Sequence, residues 1–295
     1  MELWVFFAIL AAAAQTVRFA VQKTLASATL SPAAATWARF VYSAPLVALL
    51  AFAYAKVTNQ TLPAPAPGFW PYALSGGLFQ ILATICTVSL FKLRAFAVGI
   101  TFKKTEVMLT VLVGLVILGD TVSLMGIIAI ALGFIGVLLL SDPPEGGSFF
   151  NRAAGIGLLS GVFFALSAVT YRGATLALNT GDPVLTGGAT LALVTAWQTL
   201  ALGLWLWWFE KGQITATLKA WRTSAFVGVF SLIGSWSWFA AFSLMNAALV
   251  FAVGQIELIF SLLVGALWFR EKLQMRELVG MGVLTVSILA TAFLA

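Results

Sequence analysis

The chain has 295 residues, of which 61% are hydrophobic and 9% charged, whereas an ordinary soluble domain has roughly 25% charged residues. Its 16 Lys and Arg and 10 Asp and Glu give a net charge of +6, but they are too few to cover a water-soluble protein of this size. The composition therefore excludes a soluble domain. The absence of His and the single cysteine, Cys86, exclude His-based catalysis, Cys/His metal sites and an intrachain disulfide. We expect neither enzyme activity nor a cofactor.

Ten apolar segments are long enough to cross a bilayer, because about 20 helical residues span about 30 Å of hydrocarbon. They are predicted to be helices, since an open strand cannot satisfy its backbone in lipid and the alternating pattern of a membrane barrel is absent. In chain order these spans are 3–21, 32–55, 69–91, 96–118, 122–140, 153–178, 184–209, 221–244, 247–269 and 273–294. The polar stretch 142–148 separates two predicted units, 1–144 and 145–295.

An ungapped shift of 151 residues aligns the two units. Three pairs of otherwise uncommon residues coincide in this register: Pro32 with Pro183, Trp70 with Trp221, and Glu106 with Glu257. Their joint alignment indicates a duplicated five-helix unit. Because five is odd, the second unit enters the membrane from the opposite side. The sequence thus predicts an all-α integral membrane protein with ten transmembrane helices in two inverted five-helix repeats, which is the plan of secondary transporters.

Basic residues predict the orientation in the membrane. The odd-numbered connections hold ten of them, and the even-numbered connections hold only Lys56. This bias places the odd connections in the cytoplasm and both termini outside. Because the charges are scattered at the ends of apolar runs, they do not indicate a nucleic-acid partner. We expect a monomer in the lipid bilayer that acts on a small molecule.

Seven ionisable residues lie inside the predicted spans, where such groups are expensive unless they are paired or wet: Arg18, Arg39, Lys103, Lys104, Glu106, Arg172 and Glu257. Both glutamates are about ten residues, or ~15 Å, into their spans and hence near the midplane. Glu106 has the alternative of an ion pair with Lys103, three residues before it. Glu257 has no basic residue within a turn of its own helix, so it either finds a partner elsewhere or titrates.

Four cations lie toward the predicted cytoplasmic ends of their helices, where they would attract anions to a cavity mouth: Arg18, Arg39, Lys103 and Lys104. For Arg18 and Arg39, side chains that reach out to the membrane interface are the favoured alternative. Arg172, near the other face, is interpreted as an interfacial anchor.

Polar and aromatic residues of the third and eighth spans complete the candidate site, although hydrogen bonds between helices also explain the Ser and Thr residues. Of the deeper tryptophans, Trp197, Trp236 and Trp238, one is a candidate for lining an aromatic substrate pocket. The expected substrate-binding residues are Glu257, Lys103, Lys104, Glu106, Gln80, Ser235, Trp238, Gln15 and Arg18.

The segment 257–271, ELIFSLLVGALWFRE, with Lys272-Leu273 and a Gly-rich last span after it, resembles the signature of EamA-type members of the drug/metabolite transporter superfamily. A weaker copy occupies 106–120. Where the signature follows its Glu with Pro, this chain has Val107 and Leu258. The resemblance covers the whole chain and implies a cavity lined by the first, third, fourth, sixth, eighth and ninth spans, in the bacterial inner membrane.

The resemblance also implies export of small metabolites, amino acids or drugs, and it is greatest to bacterial exporters of aromatic amino acids. One hypothesis is an amino-acid exporter, in which a cavity Lys or Arg meets the carboxylate and Glu257 meets the ammonium group. The alternative is a proton-coupled exporter of hydrophobic cations. A membrane enzyme or scaffold is disfavoured by the missing His and metal ligands and by the inverted duplication. Because four basic residues near one mouth would repel a cation, the amino acid is favoured.

Overall fold

The computed structural model describes residues 2–28, 30–90, 93, 103–140, 152–260, 263 and 275–294. The regular elements in these ranges are all helices: α1 (Leu3–Ala28), α2 (Pro32–Val57), α3 (Phe69–Leu90), α4 (Glu106–Leu118), α5 (Leu124–Leu140), α6 (Arg152–Ala177), α7 (Pro183–Phe209), α8 (Gln213–Lys219), α9 (Trp221–Leu244), α10 (Ala247–Gly254) and α11 (Met275–Leu294). The prediction of an all-α chain is therefore confirmed for this part of the molecule.

The length of the helices fits a protein that crosses the membrane several times. Within the described ranges, six helices are long and apolar enough to span a bilayer, namely α1, α2, α3, α6, α7 and α9. The other apolar helices are shorter. The predicted spans of α4, α10 and α11 run partly into residues outside the described ranges, whereas the span of α5 lies within them. The number of ten spans stays a prediction. The short helix α8, which lies in the connection between α7 and α9, was not predicted.

The second helix of each unit begins with the same local signal, a capping residue followed by Pro. Ser31 precedes Pro32 in α2, and its hydroxyl accepts a hydrogen bond from a backbone N–H of the first turn. Asp182 precedes Pro183 in α7, and its carboxylate accepts two such bonds. These side chains satisfy N–H groups that a helix start leaves unpaired, and Pro lacks the N–H that would be wasted there. The two starts are 151 residues apart, so both copies of the repeat define the helix in the same way.

Helices α2 and α7 run antiparallel, because each one starts where the other ends. Ser31 at the start of α2 donates to the carboxylate of Glu210, which follows α7. At the opposite end, Tyr54 Oη and Gln60 Nε2 donate to Asp182 Oδ2 at 2.9 and 3.0 Å. Burial alone would raise the pKa of the Asp182 carboxyl, but these bonds and those from the first turn of α7 outweigh it and lower that pKa.

The packing between the units is reciprocal. Helix α1 packs on α9, and α3 packs on α6; the 151-residue shift converts one pair into the other. Close approaches are repeated as well, since a Cβ on Gly77 of α3 would lie 2.8 Å from the Trp197 ring of α7, and one on Gly228 of α9 would lie 2.5 Å from Tyr42 of α2. Only glycine fits at these two contacts. A reciprocal exchange of contacts is the property of a two-fold relation and not of a translation.

The continuous helices predicted for 96–118 and 247–269 are interrupted where they reach the cavity. Residues 104 and 105 form a turn, and α4 begins at Glu106. Helix α10 ends at Gly254, and the helix resumes at 256–260 after Gln255, whose N–H bonds to the Ala252 carbonyl three residues back at 3.3 Å. Such tightened turns occur where a helix is strained or functional. The prediction was wrong here because neither segment contains the Pro that would have indicated a break. Residues 96–102, 261, 262 and 264–269 lie outside the described ranges.

Candidate functional site

A small cavity, with a volume of about 30 Å³, lies between the two units. Its walls come from α1, α3, α6, α9 and the two interrupted helices, which are the first, third, fourth, sixth, eighth and ninth predicted spans. Seven of the nine expected binding residues line it: Gln15, Gln80, Lys103, Glu106, Ser235, Trp238 and Glu257. The other two, Arg18 and Lys104, do not line it but contact residues that do.

Glu257 finds its cationic partner in the other unit. Its Oε2 accepts a hydrogen bond from Gln15 Nε2 at 2.9 Å and lies 3.4 Å from Lys104 Nζ. The side chains of Lys104 and Glu257 are 3% and 13% exposed, so the pair is shielded from bulk water. Of the two alternatives left open by the sequence, a partner elsewhere or titration, the geometry supports a distant partner.

Glu106 pairs with Lys103, three residues before it, as the alternative interpretation of the sequence proposed. Lys103 Nζ lies 3.5 Å from Glu106 Oε1, and both side chains are buried. The ammonium group also lies 4.8 Å from the ring centre of Phe164 and 5.6 Å from that of Phe19. The negative faces of these rings attract the cation. The pair nevertheless faces the cavity, where a charged ligand has access to both of its members.

Gln15 connects the charged and the aromatic parts of the site. Its Oε1 accepts hydrogen bonds from Arg18 Nη2 at 3.2 Å and from Trp238 Nε1 at 3.3 Å. Arg18 also donates to Gln22 at 2.7 Å and is 2% exposed. The favoured alternative for Arg18 and Arg39 was a side chain that reaches out to the membrane interface. The structure contradicts it, because both side chains are enclosed by protein.

Aromatic rings form the apolar wall of the cavity. Trp238 stacks on Phe242 with ring centres 5.9 Å apart and meets Phe251 edge-on at 5.3 Å. Of the three deep tryptophans, Trp238 alone lines the cavity. The indoles of Trp197 and Trp236 instead donate to backbone carbonyls of neighbouring helices at 3.2 and 2.8 Å. The expectation that one of the three faces an aromatic-walled pocket fits this geometry.

A polar network of Tyr171 and Gln198 beside the cavity was missed by the sequence argument. Tyr171 Oη donates to Gln80 Oε1 at 2.9 Å and lines the cavity. Behind it, the fully buried Gln198 donates to Tyr171 Oη at 3.1 Å and to the Gly77 carbonyl at 3.0 Å. A neutral amide inside an apolar span is itself a signal for a polar network, but the sequence argument considered mainly the ionised side chains.

Arg172 holds protein segments together, and its interpretation as an interfacial anchor was wrong. Its Nε lies 2.7 Å from the Asp120 carboxylate in the connection after α4. Its Nη1 donates to the carbonyls of Phe242 and Met245 at the end of α9 at 2.9 and 2.8 Å. A planar guanidinium can join these groups at fixed angles. This contact could not be predicted from the sequence pattern, because Asp120 is far from Arg172 along the chain.

Comparison with known proteins decides the family. A model of the EamA-like transporter family matches residues 2–142 and 151–293. The chain belongs to the EamA-like transporter family. Members of this family are membrane transporters of small substrates and not enzymes, so the chain is a multi-pass membrane transporter. Within the residues that the structure describes, no three His, Cys, Asp or Glu side chains are grouped so that they could hold a metal ion.

A solved structure supports the same fold. One crystal structure of a protein superposes with a TM-score of 0.71, covering 99% of this chain and 96% of its own, at 15% sequence identity. At this identity the likeness shows the fold alone. No curated protein matches the sequence at a significant level.

Proposed function

We propose that this EamA-like transporter exports neutral and aromatic amino acids by alternating access through the central cavity. The observation that carries the proposal is a single cavity lined by a cation, two carboxylates and an aromatic wall, namely Lys103, Glu106, Glu257, Trp238 and Phe242. An amino acid with an apolar side chain presents the three complementary groups: a carboxylate, an ammonium group and an apolar surface. Pockets for such ligands combine apolar walls with a few polar groups that fix the orientation.

The proposed architecture is ten transmembrane helices in two inverted repeats, 1–144 and 145–295. It is supported by the antiparallel contact of α2 with α7, which occupy equivalent positions in the two units. Equivalent helices that run in opposite directions require an axis perpendicular to them, which lies in the membrane plane when the helices cross the bilayer. Exchange of conformation between the units would open the cavity to alternate sides. We place the transporter in the bacterial inner membrane, with the odd-numbered connections in the cytoplasm, on the bias of basic residues.

In this mechanism the paired charges at the cavity exchange partners when substrate binds. A cavity Lys or Arg would bind the carboxylate, and Glu257 would bind the ammonium group. The stack of Trp238 and Phe242 would accept the side chain. Because the Lys–Glu pairs already neutralise these groups in the empty cavity, a zwitterion replaces one set of ion pairs by another and adds no net charge. The free energy cost of entering the cavity is therefore lower for a zwitterion than for an ion of one sign.

A proton-coupled exporter of hydrophobic cations is the second candidate. It is favoured by Glu257 beside an aromatic wall, where a carboxylate would bind a proton and a cation alternately. Against it, the two cavity carboxylates are outnumbered by the cations around them: Lys103 and Lys104 pair with Glu106 and Glu257, and Arg18 lies near Glu257. This excess of positive charge would repel a permanent cation.

Counterflow in proteoliposomes distinguishes the two candidates. Liposomes loaded with unlabelled tryptophan should take up labelled tryptophan, phenylalanine and leucine, but not labelled tetraphenylphosphonium. The substitution Glu257→Gln should abolish the uptake, whereas Glu2→Gln at the exposed N-terminus should not change it. Uptake of tetraphenylphosphonium without any exchange of amino acids would refute the proposal in favour of the second candidate.

A further inference from the structure

Arg39 is a buried cation with only neutral partners in the described part of the chain. It lies where α2 meets α3 and α9 and is 3% exposed. Its Nη1 donates to Thr84 Oγ1 at 3.1 Å, and its Nη2 donates to Ser235 Oγ at 3.0 Å. No carboxylate of the described residues is within 4.0 Å of it. A guanidinium carries five N–H donors and a full charge, so two hydroxyls compensate it poorly.

The side of the guanidinium that suits a carboxylate is the side left incomplete. Arg39 Nε is buried and has no hydrogen-bond partner in the described ranges. The N–H of Nε and one N–H of Nη2 point in the same direction in a planar guanidinium, which is the fork that binds a carboxylate through two parallel bonds. Here Nη2 donates to Ser235, and Nε has no partner in the described ranges.

This fork lies directly behind the cavity wall. Ser235, which receives the Nη2 bond, lines the cavity together with Gln80 and Tyr171. Ser231 lies one turn before Ser235 on the same face of α9, and its hydroxyl is buried without a partner in the described ranges. Two buried donors without a partner, Arg39 Nε and Ser231 Oγ, therefore lie near Ser235, which lies between Arg39 and the cavity.

The charge balance of the site leaves room for an anion at this position. Lys103 and Lys104 are engaged by Glu106 and Glu257. Arg18, whose partners are Gln15 and Gln22, is repelled electrostatically by Arg39. Two positive charges thus remain in excess among the described groups of the interior, and an interior anion would relieve their repulsion.

We propose that Arg39, with Thr84 and Ser235, forms the subsite that binds the carboxylate of the transported substrate. This inference rests on the proposed function, which supplies a substrate with a carboxylate. The carboxylate takes the Nε and Nη2 bonds of Arg39 when the Ser235 hydroxyl turns aside, so that no lysine is needed to bind it. Arg39 lies eight residues after Ser31, about 12 Å along α2, toward the end that the basic residues place in the cytoplasm. A substrate that is exported would meet Arg39 as it enters the cavity from the cytoplasm.

Ligand-dependent thermal stability of the purified protein in detergent tests the subsite. Indole-3-propionate carries a carboxylate and no ammonium group, and tryptamine carries the reverse. Indole-3-propionate should stabilise the wild type, and Arg39→Gln should weaken its apparent affinity by about tenfold or more, the loss expected for a charge-assisted hydrogen-bonded pair. The apparent affinity of Arg39→Lys, which keeps the charge but loses the fork, should lie between those of the wild type and Arg39→Gln. Arg222→Gln, at an exposed arginine, should bind like the wild type, and tryptamine should not respond to any substitution at Arg39.

The outcomes separate the subsite from the proposed function. If indole-3-propionate fails to stabilise the wild type, or stabilises Arg39→Gln equally, the subsite is refuted. If chloride at equal ionic strength reproduces the Arg39-dependent stabilisation, the site holds an inorganic anion and the assignment to substrate is overturned. If Arg39→Gln does not fold, Arg39→Lys carries the same comparison. Tryptophan transport with unchanged affinity in Arg39→Lys refutes the subsite alone, whereas Arg39-dependent carboxylate binding without amino-acid transport refutes the proposed function alone.

Discussion

Replacing Glu257 with Gln tests whether the paired charges at the cavity are used in transport. Glu257 lies 3.4 Å from Lys104 Nζ, and two unit charges at that distance attract by about 5 kcal/mol at an effective dielectric constant of about 20. Removing one partner of a buried pair costs about 3–5 kcal/mol. Since the amide still accepts the hydrogen bond from Gln15, we expect the lower figure, about 3 kcal/mol. At about 2 °C per kcal/mol this lowers the unfolding temperature by roughly 6 °C.

A double-mutant cycle separates stability from transport. Glu257→Gln, Lys104→Met and the double variant are compared by thermal unfolding in detergent and by counterflow in proteoliposomes. The double variant should regain most of the lost stability, because no buried ammonium is left without its carboxylate. Transport should stay lost in it, because the group that binds the substrate ammonium is absent. Loss of affinity indicates ammonium binding, whereas loss of pH dependence indicates a coupling proton.

Two results would refute this reasoning. Wild-type stability in Glu257→Gln would mean that the ion pair contributes nothing measurable to the fold. Normal transport in the double variant would mean that the pair is structural and that the substrate binds elsewhere. In the second case the site would move to Lys103, and Lys103→Met, which keeps the apolar stem and deletes the charge, would be the next variant.

Three further predictions concern topology, pH and packing. In a variant without the native cysteine, a cysteine at Lys211 should resist an impermeant thiol reagent in intact cells and one at Gln60 should react; the reverse pattern would invert the proposed orientation. Because the folded-state pKa of Asp182 is lowered, its ionised form stabilises the fold above about pH 4, and this contribution is lost as the pH falls through the lowered pKa. The unfolding temperature should therefore fall over this pH range in the wild type but not in Asp182→Asn. An acid profile that is the same in both proteins would contradict this prediction. A Cβ at Gly254 would overlap the cavity indole, so Gly254→Ala should cost about 1–3 kcal/mol and impair transport of aromatic substrates, whereas Gly155→Ala, which meets no atom within 4 Å, should do neither.

The sequence was sufficient for the features that depend on composition and local pattern. Long apolar runs require helices in lipid, because only a helix satisfies its own backbone there. The capping residues Ser31 and Asp182, each followed by Pro, define equivalent helix starts without help from tertiary contacts. Rare residues in one register revealed the repeat. The cost of burying charge in a membrane also directed attention to Glu257, Lys103 and Lys104.

What only the tertiary structure decided is which of these groups meet. The partner of Glu257 is Lys104, 153 residues away. The two hydroxyls that accept hydrogen bonds from Arg39 come from α3 and α9. Hydropathy and periodicity describe one helix at a time, so they state that a buried charge needs a partner but not which helix supplies it. The breaks before Glu106 and Glu257 were also not predicted, because neither segment contains the Pro that would have indicated a break. The all-helical class and the starts of α2 and α7 were therefore determined by the sequence alone, and the cavity by the way in which the two units pack on each other.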